Sequence, residues 1–363
     1  MGERVYNFSA GPAVLPVNVL EEAQKDLVNY KGCGMSVMEL SHRSKEYDDI
    51  HERAINGTRR ILGVPDDYAV LFLQGGASLQ FSMIPMNLCQ EGKPVDMIHT
   101  GQWTKKAIPE VKRVATMNMA GSSEEDGYRS LPKLDELKLD PNASYVHICS
   151  NNTVAGTQFK KFPDTGDVPL VADMSSDIVS RPVNVSNFGM IFAGAQKNIG
   201  PAGVTMVIMK NDLADRCPED IATMLQYRTH IKGNSLYNTP PTFGIYIIAL
   251  VMEHLEKLGG LDAVQEANEK KAAILYDAIE ENDFYYCPVE EESRSLMNVV
   301  YRIKGDNEEL EAKFISESKA ARFTNLKGHR SVGGLRASIY NAQPEDSIKA
   351  LVKFMEDFAS QNG

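Results

Sequence analysis

The chain has 363 residues, and 49 acidic side chains outnumber 38 lysines and arginines, which gives a formal net charge of −11. An acidic surface argues against nucleic acid as the main partner, because binding to phosphate backbones needs clustered positive charge. The five cysteines are odd in number and lack a Cys-x-x-Cys pair, as is usual in a reducing compartment. No apolar run is long enough to span a bilayer and no signal-peptide core is visible, so we predict a cytoplasmic protein without a membrane partner or a metal site.

Short apolar runs alternate with helical patterns between residues 65 and 210. Most of these runs are near-continuous Val, Ile, Leu, Phe and Met, which is typical of strands buried on both faces of a parallel sheet. The predicted strands are 68–73, 95–99, 144–149, 169–172, 188–193 and 203–209. Only a short glycine-rich turn separates the last two, which is too short for a crossover helix, so we expect that pair to be antiparallel.

A second pattern begins after residue 258. Gly259 and Gly260 end a long apolar helix predicted over 242–258. Helices and strands then alternate in a manner typical of a small α+β domain. These elements are a helix near 262–280, strands near 298–303 and 335–338, and a closing helix from Pro344.

The predicted elements divide the chain into two domains. The large domain would span 16–258 and hold a mostly parallel sheet, with one antiparallel strand, between layers of helices. The small α+β domain would span 259–363 and include 1–15, since these N-terminal residues have no obvious partner in the large domain. The predicted fold class is therefore α/β with a smaller C-terminal α+β domain.

Small residues follow the first predicted strand, at the end where open α/β sheets bind ligands. Gly76, Ala77 and Ser78 stand there and open an apolar helix. The free N–H groups of a helix start can hold a phosphate. Glycine-rich turns also commonly connect a strand to a helix without binding any ligand, so this segment alone does not establish a phosphate site.

Aromatic and hydroxyl side chains follow the next strands. Trp103, the only tryptophan, comes just after the second strand and could stack on a flat ring or simply pack in the core. Thr153 follows the third strand in a run of short polar residues, which a turn alone would also explain. Neither residue indicates a ligand site by itself, and each has to be interpreted together with the residues that follow the other strands.

A carboxylate and a lysine complete the set. Asp173 follows the fourth strand, and a buried carboxylate is costly unless a cation, a helix start or a metal pairs with it. Lys197 follows the fifth strand in a rigid Gly/Pro turn, where a desolvated lysine becomes a nucleophile, although most lysines are solvated surface groups. Pyridoxal phosphate needs an anion cradle, an aromatic plate, a carboxylate and a lysine, so the four together favour that cofactor.

Motifs along nearly the whole chain resemble one family. They lie at residues 7–13, 38–44, 74–78, 172–176, 194–203, 328–330 and 333–341. The lysine turn and the two His-Arg pairs are specific to this family as a set. On these motifs the chain resembles the phosphoserine aminotransferase family, whose members are fold-type I pyridoxal-phosphate enzymes.

The resemblance implies a role for each cofactor residue. Lys197 would hold pyridoxal phosphate covalently and shuttle a proton, and Asp173 would pair with the ring nitrogen. Trp103 would stack on the ring, and Thr153 would hydrogen-bond the phenolic oxygen. The cofactor phosphate would be bound by Gly76, Ala77, Ser78 and Gln196, with Asn238 and Thr239 supplied by the other subunit of a homodimer.

The resemblance also implies a substrate site that includes Ser9. Arg336 would hold the α-carboxylate through two parallel hydrogen bonds. The substrate's phosphate, or the distal carboxylate of glutamate, would be bound by His42, Arg43, His329 and Arg330. Dispersed surface charge remains the plain alternative for the two histidines.

The implied reaction moves the amino group of L-glutamate to 3-phosphohydroxypyruvate, a phosphorylated 2-keto acid, and gives O-phospho-L-serine and 2-oxoglutarate. The resemblance also implies a second reaction, in which the four-carbon analogue of this keto acid is aminated to 4-phosphohydroxy-L-threonine in pyridoxine biosynthesis.

The chain departs from the family at one position near the site. The family often has glutamate at the position of Asn152, which leaves a neighbouring contact in doubt. The alternatives are a serine–glyoxylate aminotransferase, a cysteine desulfurase, which needs a cysteine on a mobile loop whereas Cys287 looks strand-like, and a nucleotide-binding oxidoreductase or non-catalytic binding module, for which the nucleotide-binding glycine motifs are missing.

Overall fold

The structure, a computed structural model, describes residues 4–363 and contains fourteen strands in that range. The strands are β1 (Tyr6–Asn7), β2 (Tyr68–Leu73), β3 (Val95–His99), β4 (Met117–Ser122), β5 (Val146–Cys149), β6 (Asn151–Asn152), β7 (Thr157–Gln158), β8 (Leu170–Asp173), β9 (Met190–Gly194), β10 (Thr205–Lys210), β11 (Tyr285–Tyr286), β12 (Asn298–Ile303), β13 (Phe323–Thr324) and β14 (Leu335–Ser338).

Nine α-helices accompany the strands over the same part of the chain. They are α1 (Val17–Asp26), α2 (Lys45–Leu62), α3 (Gly76–Leu88), α4 (Gln102–Val114), α5 (Tyr227–Lys232), α6 (Thr242–Lys257), α7 (Gly260–Glu280), α8 (Glu308–Ala320) and α9 (Glu345–Asn362). None of the helices in the described residues is long and apolar enough to cross a membrane.

A seven-stranded sheet forms the centre of the molecule, in the order β2-β10-β9-β8-β5-β3-β4. The pairs from β9 to β4 are parallel, and β10 is antiparallel to both of its neighbours, β2 and β9. This confirms the predicted antiparallel pair around the glycine-rich turn. The carboxyl ends of the parallel strands therefore meet at one rim, where ligands bind in open α/β sheets.

Each face of this sheet is covered by its own apolar core. Successive residues of β2 alternate between the two cores, with Val70 and Phe72 on one side and Leu71 and Leu73 on the other. This alternation follows from the two-residue period of a strand, and it explains why the strands read as continuous apolar runs. All six predicted strands belong to this sheet, with ends within two residues of those expected.

The one strand of this seven-stranded sheet that was not predicted is β4. It lies at the edge of the sheet and pairs only with β3, and most of its side chains are half-buried or exposed. An edge strand needs no continuous apolar run, so its sequence carries a weaker signal.

A second, antiparallel sheet has the order β11-β12-β14 and packs with α7, α8 and α9 around a third apolar core. The predicted strands 298–303 and 335–338 coincide with β12 and β14, whereas α8 was not predicted. The N-terminal segment joins this core through Phe8 and through β1, which pairs in parallel with β13. The domain limits at residues 16 and 258 stay a prediction.

Candidate active site

Lys197 lies in a tight turn just beyond β9. The side chain is only 8% exposed, and its Nζ donates a hydrogen bond of 3.0 Å to Thr153 Oγ1. The same Nζ lies 5.7 Å from the centre of the Trp103 ring. Three side chains that follow three different strands are thereby brought together at the carboxyl rim of the sheet.

The N-terminal segment passes close to this lysine. A Cβ built on Gly11 would lie 3.1 Å from Lys197 Cε, and Ala13 N donates to Gln196 O at 2.8 Å. A side chain at position 11 would therefore press on the lysine. Ser9 lies in the same segment, and its Oγ accepts a hydrogen bond of 3.5 Å from Gly11 N. The close approach explains a glycine whose role the sequence analysis did not identify.

Asp173 ends β8 and is buried. One of its oxygens accepts a hydrogen bond of 2.9 Å from Ser175 N. Burial raises the pKa of Asp173, and the hydrogen bonds from Ser175 and the positive charge of Lys197 act in the opposite direction. A further cation beside this carboxylate would relieve the desolvation cost.

The start of α3 offers free backbone donors. Gly75 and Gly76 have left-handed φ angles of 88° and 66°, and a Cβ on Gly75 would lie 2.5 Å from Leu79 Cδ2. The first N–H groups of a helix have no partner within it, so those at Ala77 and Ser78 point to an anion site. Glycine is needed here both for the backbone angles and for the close packing.

Asn238 and Thr239 lie beside this helix start within the same chain. Gln74 Nε2 donates to Thr239 O at 3.4 Å, and Asn238 Nδ2 lies 3.5 Å from Gln74 Oε1. Their use by a second subunit stays a prediction.

Arg336 projects from β14 toward the hairpin that carries Thr153. Its Nη1 donates to Thr153 O at 3.2 Å, whereas its buried Nε has no hydrogen-bond partner among residues 4–363. Burial lowers the pKa of Arg336. A half-buried guanidinium with an unused donor is a site for a carboxylate.

His329 stands among the positive charges of Arg336, Arg330 and Lys106. Ser331 N donates to His329 Nδ1 at 3.3 Å, which leaves Nε2 to carry the proton of the neutral ring. Partial burial lowers the pKa of His329, and the charges of Arg336, Arg330 and Lys106 lower it further. Lys106 was not predicted, although it follows Trp103 by three residues, which places it next to Trp103 on a helix.

His42 and Arg43 are not brought to this cluster. Within the described residues, no hydrogen bond, ion pair or ring contact joins either side chain to Lys197, Arg336 or His329. The resemblance assigns both residues to the substrate site, and that assignment stays a prediction.

Asn152 joins the hairpin that holds Thr153 to the short segment between β3 and α4, the helix that carries Trp103. Its Nδ2 donates to Thr100 Oγ1 at 3.1 Å and to Thr157 Oγ1 at 3.0 Å. Its buried Oδ1 has no partner among residues 4–363 and lies 2.7 Å from where a Cβ on Gly101 would stand. The position where the chain departs from the family pattern therefore makes specific contacts of its own.

A buried amide network lies beneath the site and was not predicted. Asn298 Oδ1 accepts from Asn151 Nδ2 at 2.8 Å, and Asn298 Nδ2 donates to Ser338 Oγ at 2.9 Å and to Tyr340 OH at 3.2 Å. Asn151 Nδ2 also donates to Ser176 Oγ at 2.7 Å. The network ties the rim of the large sheet to the strand of Arg336. The residues are too far apart in sequence for a local pattern to reveal it.

Comparisons with known proteins agree with this geometry. The family described as aminotransferase class-V matches residues 5–351. A phosphoserine aminotransferase of Geobacillus kaustophilus is 56% identical over 357 residues, 98% of each chain. The structure of a phosphoserine aminotransferase from Bacillus circulans subsp. alkalophilus superposes with a TM-score of 0.98 at 53% identity and full coverage of both chains.

A solved structure with the cofactor is also similar. The phosphoserine aminotransferase of Trichomonas vaginalis with bound pyridoxal phosphate has a TM-score of 0.92 at 40% identity, covering 97% of this chain and all of that one. The chain thus belongs to the phosphoserine aminotransferase family, within the class-V, pyridoxal-phosphate-dependent aminotransferases.

Proposed function

We propose that the protein transfers the amino group of L-glutamate to 3-phosphohydroxypyruvate and gives O-phospho-L-serine and 2-oxoglutarate. This reaction would serve serine biosynthesis in the cytoplasm. The four-carbon phosphorylated keto acid of pyridoxine biosynthesis is a second proposed substrate. The observation that carries the proposal is the position of Lys197 Nζ, 3.0 Å from Thr153 Oγ1 and 5.7 Å from the centre of the Trp103 ring.

The residues at the rim fit pyridoxal phosphate. The free N–H groups that open α3 suit its phosphate, and the buried carboxylate of Asp173 suits a protonated ring nitrogen. When bound, the cofactor supplies a carbon that bonds to amines and a ring that withdraws electrons from the substrate Cα. Trp103 offers the aromatic face, and Gln196, Asn238 and Thr239 are further proposed contacts to the phosphate.

Lys197 is the proposed acid and base. Thr153 holds the Nζ of Lys197 at the rim of the sheet, where this amine would be placed to accept a proton from the substrate Cα. The low exposure of Lys197 keeps water from competing for this proton.

Arg336 and the cluster around His329 are proposed to orient the substrate. The unused Nε of Arg336 would take the α-carboxylate, which glutamate and the phosphorylated keto acid share. His329, Arg330 and Ser9 would bind the distal end. His42 and Arg43 would act there from the second subunit of a homodimer, since neither is joined to the site within its own chain.

The reaction is tested by the visible spectrum of the purified protein. We expect a yellow protein whose colour bleaches with O-phospho-L-serine and returns with 2-oxoglutarate. L-serine is the matched control, because it lacks only the phosphate, and it should bleach the colour far more slowly. Equal rates with the two amino acids would contradict a site that recognises phosphate, and a protein that stays colourless with added pyridoxal phosphate would contradict the cofactor.

The shared site is tested by mixing two inactive variants. In a mixed dimer of Lys197→Ala and Arg43→Ala subunits, a site built from both chains would regain one intact set of residues. Activity should therefore rise when the two variants are refolded together. No recovery would contradict the proposed contribution of Arg43 from the partner.

A cysteine desulfurase needs a reactive thiolate, and Cys287 does not offer one. Its Sγ lies 3.8 Å from Val289 O next to the small sheet, and burial raises the pKa of the Cys287 thiol. Alkylation of the accessible thiols should leave the transaminase activity intact.

A further inference from the structure

Lys106 lies over the aromatic side chain that faces the catalytic lysine. Its Nζ is 4.7 Å from the centre of the Trp103 ring, and Lys197 Nζ is 5.7 Å from the same centre. The two residues stand three positions apart on α4, which places them on one face of the helix. The attraction between an ammonium group and the face of an indole holds Lys106 at the rim of the site without an ion pair.

The adjacent lysine has a different environment. Lys105 is also exposed, and its Nζ pairs with Glu124 at 3.3 Å. Among residues 4–363, no carboxylate oxygen lies within 4.0 Å of Lys106 Nζ. Several other exposed lysines also lack such a carboxylate, but Lys106 differs from them because it lies over the Trp103 ring.

Lys106 also extends the cluster of cations at the mouth of the site. Its charge acts on His329 together with the charges of Arg330 and Arg336. Like charges gathered in this way repel one another, and a bound anion removes the repulsion. The gain grows with the charge of the anion, and a phosphate monoester carries about −1.5 to −2 at neutral pH against −1 for a carboxylate.

We propose that Lys106 binds the phosphate group of the phosphorylated substrate and favours that substrate over glutamate at the shared distal site. The inference rests on the proposed function and adds a residue to it. Lysine suits this role because it acts on phosphate as a point charge and needs no paired geometry. Trp103 would thus have two roles: it would stack on the cofactor, and it would position Lys106, which binds the phosphate of the substrate.

The test compares Lys106→Met with Lys105→Met, two changes that remove one charge from neighbouring exposed positions. The bleaching of the holoenzyme is titrated with O-phospho-L-serine and, separately, with L-glutamate. For Lys106→Met, we expect the apparent Kd for phosphoserine to rise about tenfold, as for one lost charge-assisted contact, and that for glutamate to rise much less. Lys105→Met should leave both values near those of the wild type.

A purely structural role makes a different prediction. If Lys106 only supported Trp103, Lys106→Met would weaken the binding of both amino acids equally and leave the preference for phosphoserine over glutamate unchanged. Equal losses for the two substrates, or equal behaviour of the two lysine variants, would overturn the proposal. A wild-type protein that does not react with phosphoserine would instead overturn the proposed function, and the inference with it.

Discussion

Two regions of the site differ in how their polar groups are paired: the floor, which is the buried network around Asn298, and the mouth, which is formed by Arg336 and Lys106. In the floor, Asn298 and Asn151 are fully buried, and their amide groups bond to other side chains of the same chain. At the mouth, the Nε of Arg336 has no partner, and Lys106 has no carboxylate beside it among the described residues. Buried polar groups that a chain pairs by itself contribute to a fixed structure, whereas unpaired cations contribute binding energy when an anion arrives.

The difference separates stability from function in a testable way. Changes in the floor should lower the free energy of unfolding, because they leave buried groups unpaired. Changes at the mouth should alter substrate binding and leave the free energy of unfolding nearly unchanged.

The largest effect is expected for Lys197→Ala, which removes the proposed acid and base. The rate of the half-reaction with phosphoserine should fall by at least about 10²–10⁴-fold, measured by stopped-flow absorbance. The fold should persist, since Lys197 makes one hydrogen bond through its side chain, to Thr153. A variant that kept a tenth of the wild-type rate would contradict the role of this lysine.

The floor is tested by Asn298→Ala. The change leaves Asn151 Nδ2 with fewer acceptors and removes a donor from Ser338 and Tyr340. We expect the free energy of unfolding, measured with urea, to fall by about 2–3 kcal/mol. Asn298→Asp keeps the size of the side chain but buries a charge, so its free energy of unfolding should be no higher than that of Asn298→Ala. Unchanged stability would show that the network adds nothing to the fold.

The mouth is tested by Arg336→Lys, which keeps the charge but loses the planar pair of donors. We expect kcat/KM to fall about 10- to 30-fold for both glutamate and the phosphorylated keto acid, because the α-carboxylate is common to them. The free energy of unfolding should stay within about 0.5 kcal/mol of the wild type. A large loss of stability here would remove the contrast with the floor.

The smallest effect concerns a histidine away from the site. His147 lies between Phe81 and Phe192, and burial lowers its pKa to about 4. The unfolded chain, with a histidine pKa of about 6.5, then binds the proton more readily than the folded chain. The stability contributed by neutral His147 is therefore complete above pH 6.5 and is lost as the pH falls toward 4.

This linkage predicts a loss of about 1 kcal/mol in the free energy of unfolding between pH 7 and pH 5.5 from His147 alone. In His147→Gln, which cannot take up the proton, the pH dependence should be weaker by that amount. The measurement is urea unfolding of both proteins at the two pH values. An identical pH dependence would show that His147 does not titrate in this way.

The sequence predicted much of the fold because the central strands are buried on both faces. Runs such as Tyr68–Leu73 and Met190–Gly194 carry a strong apolar signal, and the short turn after β9 required an antiparallel pair. The edge strand β4 escaped prediction because half of its surface faces away from the core. The helix α8 escaped for a similar reason, since few of its side chains are buried.

The site was predictable where it follows from strand ends. Lys197, Thr153 and Trp103 each follow a buried strand, and the structure brings them together. The Asn298 network could not be predicted, because it joins residues that are 147 and 40 positions apart in the sequence. The sequence also could not predict that Lys106 lacks a carboxylate partner, because this depends on the folded position of Glu124, which pairs with Lys105 instead.

The central claim is that Lys197 holds the cofactor, and two other lysines with lowered pKa values, the buried Lys271 and the exposed Lys160, make the claim worth testing. Desolvation lowers the pKa of Lys271 to about 7 and that of Lys160 to about 8, so each could react as an amine near neutral pH. The most direct measurement is borohydride reduction of the yellow protein, followed by mass mapping of its peptides. The structure predicts a single cofactor label on Lys197, and a label on Lys160 or Lys271 with Lys197 unmodified would contradict it.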